Sequence, residues 1–374
     1  MSHHTIIPIK PPPTTTFRDY DHIFSKLPIA AIELHLDSAF CRWRLAGPNP
    51  VTIAPCTAEM LSSKANIDSL PVPVQAWITT ALADNRLYIC DYTALATLKG
   101  GIYANQRKYS LGPIALFSIP VDEALRTRQS LEPLAIQCEH IDPHSPTKPV
   151  MFHPGDDEEG GWSWKIAKAV INWADGNYHE AVVHLAHTHL LVEPFVVATQ
   201  RTLPLAHPLH HLLLPHFEGT SFINHAADKQ LINPDGPVDK LFSPDIHDLN
   251  SYVGQQVRAL LASDFSFPGM LQRRGMDVKG FPAPYPYRDD GMLVWSAIHG
   301  WVGDYLRVYY GEGEAAKKAI KVDPWVGILK PVLKIQTLIF EIHPYARLPT
   351  YRPTTSSRHG SPSSAPTEAA VCTG

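Results

Sequence analysis

Apolar residues recur every three or four positions across residues 20–45, a spacing that predicts an amphipathic helix. Asn49-Pro50 then opens a turn, and residues 76–82 suit a second helix. Three short apolar runs follow, at 87–92, 109–119 and 134–137, spaced like the strands of a small sheet. Residues 153–161 are acidic and glycine-rich and read as a loop. From Trp164 onward Ile166, Ala167, Val170 and Ile171 share one helical face. A break is expected at Asp175-Gly176, with helix resuming through His179 to about Thr199. His207-Pro208 opens another apolar segment to His216. Residues 252–261 and 292–310 predict two more helices, the second starting at Asp290-Gly291. No internal repeat is visible. The pattern predicts a mainly α fold with a small β-containing N-terminal part.

The two ends differ from this body. Residues 1–16 are rich in Pro and Thr, and 349–374 in Ser, Thr, Pro and Ala, so both are expected to be disordered. That leaves residues 17–330 as the expected folded domain. Its size suffices for a large core, and 44% hydrophobic content marks a globular chain. A formal charge of −4 gives no pull toward nucleic acid or an anionic membrane. Cys41, Cys56, Cys90, Cys138 and Cys372 are scattered without a CxxC, which argues against a disulfide framework or a cysteine-zinc module. No apolar run is read as approaching the ~20 residues of a membrane span, and no signal peptide is visible at the N-terminus. The expectation is a cytoplasmic protein whose contact with membranes, if any, is transient and at their surface.

The candidate chemistry lies in residues 178–193, where His179, Glu180, His184, His187, His189 and Glu193 interrupt apolar, helix-prone sequence. Imidazole is the commonest metal ligand among side chains, and burying several without partners is costly. His179-Glu180 with His184 resembles the zinc-protease helix motif, but that motif needs His at i and i+4. Here the step is five, and so is the step from His184 to His189. On a regular α-helix at ~100° per residue such pairs diverge by ~140°. A local π-bulge returns them to one face. Nitrogen donors without thiolate suit iron, zinc or copper. The alternative is that these histidines cap, pack or face solvent.

His179-Glu180-x-x-x-His184-x-x-x-Thr188-His189 with Glu193 resembles the iron-binding helix of lipoxygenases. Four further blocks resemble the same family in the same order. They are Arg44-Leu-Ala-Gly-Pro-Asn-Pro50, Lys108-Tyr109 with Pro113-Ile-Ala-Leu-Phe117, Ala206-His207-Pro208-Leu209 through Pro215-His216, and Tyr285-Pro-Tyr-Arg-Asp-Asp-Gly-Met-Leu-Val-Trp295. The chain is similar to compact bacterial, especially cyanobacterial, forms without an N-terminal β-sandwich. The resemblance implies a mostly helical fold around a non-haem iron. It also implies dioxygenation of a polyunsaturated fatty acid: hydrogen is abstracted from a cis,cis-1,4-pentadiene and O2 adds to give a hydroperoxide. It places His184 and His189 on the first two iron-ligand positions and Glu180 behind them. Ala227 falls where Ala or Gly biases the stereochemistry of oxygen entry, and Leu231 where an apolar side chain packs on the pentadiene; either would also serve as an ordinary core residue.

Departures are visible too. Ala186, His187, His211 and Asp228 differ from the residues usual in the family. The third His and the C-terminal Ile that the family supplies find no match after Asp323-Pro324, since neither His343 nor His359 lies in the right context. The expectation is a chain truncated or frame-shifted in that region. Two rival readings follow: an inactive lipid-binding remnant, and a zinc hydrolase with Glu180 as base. Arg42, Arg44 and Arg288 are candidates to meet a fatty-acid carboxylate, each with a structural role as the alternative.

Overall fold

A computed structural model describes residues 29–312 except 34, 121–129, 143, 158–161, 262–265 and 278–283, together with Lys318 and Asp323. The expected disordered ends, 1–16 and 349–374, lie outside the described residues. Of the described residues 61% are helical, with a small sheet beside them, as the apolar periodicity predicts. The expected N-terminal helix is two helices, α1 (Ile29–Glu33) and α2 (Asp37–Ala46), separated near Leu36, whose extended backbone precedes the second. Helices α3 (Ala58–Lys64) and α4 (Val72–Ala83) flank the first strands, and Thr57 caps α3 by accepting from the Met60 N–H.

The main sheet is antiparallel, in the order β1 (Ile53–Pro55), β2 (Leu87–Asp91), β5 (Ile114–Ser118), β6 (Glu132–Gln137), β7 (Met151–Phe152). A separate hairpin joins β3 (Ile102–Tyr103) to β4 (Gln106–Arg107). β2 and β5 are buried on both faces, and this is why their sequences read as unbroken apolar runs. Successive side chains leave a strand on opposite sides. Tyr88, Cys90, Ala115 and Phe117 enter one core with Phe40, Trp164 and Ile171. Leu87, Ile89, Ile114 and Leu116 enter a second core under α4. The β5–β6 register shifts between Leu116 and Phe117, where Phe117 faces Pro133, a residue with no N–H to give the ladder.

One continuous helix runs through the centre. Its parts are α5 (Ser163–Tyr178), a π-helical segment (His179–Leu190) and α6 (Leu191–Thr202). The break expected at Asp175-Gly176 is absent. Asp175 does not cap there; its carboxylate is held by Arg44 at 2.9 Å and accepts from Tyr92 Oη–H and Asn49 Nδ2–H, both at 2.6 Å. The expected π-bulge is present, and its register extends over twelve residues. By length and composition Ser163–Thr202 is the one element among the described residues apolar enough to cross a membrane, which amends the expectation that no such run exists. Its α5 part packs on the sheet core, and its π segment packs on α10 (Ile246–Leu261) through Val182, Ala186, Leu249 and Val253.

The remaining helices are α7 (Pro208–Leu213), α8 (Thr220–Gln230), α9 (Pro237–Leu241), α11 (Phe267–Arg273) and α12 (Pro286–Tyr310). α12 starts at Pro286, before the Asp290-Gly291 start expected, because proline suits the first helical turn. Gly291 instead allows a close approach: a Cβ there would lie 2.3 Å from the Phe267 ring of α11.

Candidate metal centre

In the π segment a five-residue step carries a side chain back to the same side. The register is explicit at the exit, where the Leu191 N–H donates to the Ala186 carbonyl. His184 and His189 consequently face one another. Their ring centroids are 4.9 Å apart with planes at 77°, and their Nε2 atoms are 3.2 Å apart. The His179 ring stacks on the other side of His184, at 6.1 Å.

The hydrogen bonds behind each ring decide what those Nε2 atoms can do. Glu180 Oε2 lies 3.0 Å from His184 Nδ1, and an ionised carboxylate only accepts, so Nδ1 carries the proton. Behind His189 stands Asn224, which is buried. Its Nδ2 donates to Glu193 Oε2 at 2.7 Å and to the His189 carbonyl at 3.2 Å, which turns its Oδ1 toward His189 Nδ1 at 3.1 Å. Nδ1 of His189 is therefore also the protonated nitrogen. Both Nε2 atoms are left with bare lone pairs aimed at one another. Such a contact is repulsive until a cation lies between the two nitrogens. Two ligands about 2.1 Å from a shared ion in adjacent positions stand about 3 Å apart, so the pair fits a metal ion. Partners of this kind behind the ring commonly orient metal-bound histidines. Among the described residues no group of three or more His, Cys, Asp or Glu stands in such an arrangement.

The pair opens onto a pocket of about 160 Å³ between the π segment, α8, α9 and α10. Glu180, His184 and His189 supply its polar edge; Leu185, Ile223, Ala227, Leu231 and Val238 are among its apolar walls. The structure thus brings all five sequence-predicted site residues to one cavity. Ala186 is fully buried against α10, away from it. His187 does not line it, and burial lowers the imidazole pKa, favouring the neutral form. The candidate carboxylate-binding arginines are engaged elsewhere. Arg42 pairs with Glu33, Arg44 with Asp175 and Arg288 with Asp289. Asn224 and Glu193 were not foreseen in their orienting role, and only contact across 35 positions of chain reveals it.

The family model described as Lipoxygenase matches residues 29–329. The chain belongs to the lipoxygenase family. The linoleate 9/13-lipoxygenase of Pseudomonas aeruginosa is 39% identical over 312 residues, covering 81% of this chain and 44% of that protein. The polyunsaturated fatty acid lipoxygenase ALOX15B of Rattus norvegicus is 32% identical over 295 residues, covering 78% and 41%. Among solved structures, a calcium-dependent 11R-lipoxygenase superposes with a TM-score of 0.65 at 26% identity, covering 84% of this chain and 45% of that one. This lipoxygenase chain therefore spans less than half the length of these relatives.

Proposed function

We propose that the chain takes part in iron-dependent dioxygenation of polyunsaturated fatty acids, with His184 and His189 as nitrogen ligands and residues 17–330 as the catalytic unit. The observation that carries this is the meeting of the His184 and His189 Nε2 atoms, 3.2 Å apart, at the edge of an apolar pocket. Bound there, iron would supply the one-electron oxidising power needed to remove hydrogen from a 1,4-pentadiene, before O2 adds to give a hydroperoxide. The protein's own contribution is binding and orientation. Glu180 and Asn224 keep both Nδ1 atoms protonated, leaving both Nε2 atoms free to ligate. Ala227 leaves space in the pocket and Leu231 offers an apolar surface to the acyl chain. The bond from His184 to Glu180 favours this reading over a zinc hydrolase, since the carboxylate is engaged behind the ligand. Reconstitution with Fe(II), followed by linoleate and O2, tests it. Conjugated-diene absorbance that requires both iron and O2, and that disappears in His184→Ala, is expected. Full iron loading without diene formation would overturn it, and iron well below one per chain would support the inactive remnant.

A further inference from the structure

We infer that Glu193 is a positioning residue that selects, through the amide of Asn224, which nitrogen of His189 is available to a ligand. The inference rests on the reading of His184 and His189 as a metal pair. Asparagine presents an acceptor on one side and a donor on the other, so turning its amide reverses what a neighbour meets. His189 reads that face directly, with its Nδ1 at 3.1 Å from Asn224 Oδ1. Two acceptors hold the amide in this sense. One is the His189 carbonyl at 3.2 Å; the other, shorter and charged, is Glu193 Oε2 at 2.7 Å. Charge-assisted bonds are roughly twice as strong as neutral ones, so the carboxylate dominates the choice. Were the amide reversed, its N–H would face His189 Nδ1, which must then accept. The proton would move to Nε2, and the lone pair facing His184 would be lost. Glu193 touches neither His184 nor the pocket wall; its effect passes through a buried amide on α8.

Substitutions that reverse or preserve polarity separate this role from simple packing. Glu193→Lys places a donor against Asn224 and is expected to turn the amide, converting His189 to the Nε2–H tautomer. Glu193→Gln still offers an oxygen and should keep Nδ1–H. The double variant Glu193→Lys with Asn224→Asp restores the pattern, because one Asp oxygen accepts from Lys and the other from His189 Nδ1. Long-range ¹H–¹⁵N correlation spectra of the ¹⁵N-histidine-labelled full chain, free of metal, read the tautomer at His189. Titration with Co(II) reads ligation, with a loss of about 10–100-fold expected in Glu193→Lys and recovery in the double variant. Unchanged circular dichroism shows that each variant folds, and Glu193→Gln supplies the readout if the lysine chain does not. An Nδ1–H tautomer retained in folded Glu193→Lys overturns the inference. So does loss of it in Glu193→Gln, or a tautomer change with no effect on Co(II) affinity. If the tautomers follow the predicted pattern while even the unaltered chain binds no Co(II), the positioning role stands and the metal reading falls.

Discussion

Replacing Arg44 by methionine tests how the histidine-bearing helix is anchored. Arg44 and Asp175 form an ion pair at 2.9 Å with side-chain exposures of only 2% and 12%. The guanidinium also donates to Tyr92 Oη, to Asn172 Oδ1 and to the Phe40 carbonyl, and lies 5.1 Å from the Phe40 ring. Although burial opposes the charge, Asp175 and Tyr92 outweigh it and hold the arginine above its ordinary pKa. Methionine keeps most of the apolar stem, so little cavity is created. What changes is that Asp175 loses its counter-charge and keeps only the neutral donors Asn49 and Tyr92. Removing one partner of a buried pair costs about 3–5 kcal/mol. Set against a total stability of about 5–15 kcal/mol, that is a large fraction.

Guanidinium denaturation followed by circular dichroism measures it, with Asp175→Asn and the double variant completing a cycle. The double variant removes both charges and leaves neither stranded, so it should be less damaged than the sum of the singles, by about 2 kcal/mol or more. A cost below about 1 kcal/mol for Arg44→Met, or strictly additive effects, would refute the claim that the pair secures α5 to α2. Because Asp175 lies four residues before the π segment, loosening it should also weaken Co(II) binding without touching either histidine.

Three further outcomes are expected. Ala227→Phe fills a pocket of only about 160 Å³, so diene formation should fall steeply while Co(II) affinity holds; equal losses of both would show that the pocket and the metal pair are not separable. Burial pushes the Cys90 thiol from 9.0 up to about 12 and the Tyr88 phenol from 10.0 up to about 12, so the folded state keeps protons that the unfolded state releases first. Stability should thus be intact below about pH 9 and decline toward pH 12, and a flat denaturation midpoint from pH 8 to 11 would contradict it. Gly291→Ala drives a methyl into the Phe267 ring and should lower stability by about 1–3 kcal/mol in the same denaturation assay, with no change if α11 and α12 do not meet there.

What the chain's sequence revealed depended on the range of the interaction. The strands at β2 and β5 were legible because an apolar run bounded by turn residues has few other uses, and the pairing only had to divide alternate residues between two cores. The meeting of His184 and His189 was legible because its information is local, in a five-residue step within one helix. Asp175-Gly176 misled for the opposite reason. Locally Asp and Gly are helix-ending residues, but Asp175 answers to Arg44, Asn49 and Tyr92, which lie far back in the chain. Gly291 misled in the same way, since the helix surrounding it needs a missing side chain more than a start signal. Asn224 was not legible as the partner of His189, because its amide orientation is set by three contacts with two residues, His189 and Glu193, more than thirty positions away in the chain.

The length of the π segment, by contrast, was written locally and in the residues that received least attention. A single bulge needs to satisfy only one pair of histidines. A sustained π register must keep the opposite face in step as well, or the helix would present polar residues to α10. Ala181, Ala186 and Leu191 are all buried and also stand five apart. The histidine row at 179, 184 and 189 and the apolar row at 181, 186 and 191 therefore share one period. An α-helix could satisfy neither row at that spacing, since each step would swing it by ~140°. Two independent rows with the same non-α period specify the register over the whole stretch, and the histidines alone could not distinguish that from a local irregularity.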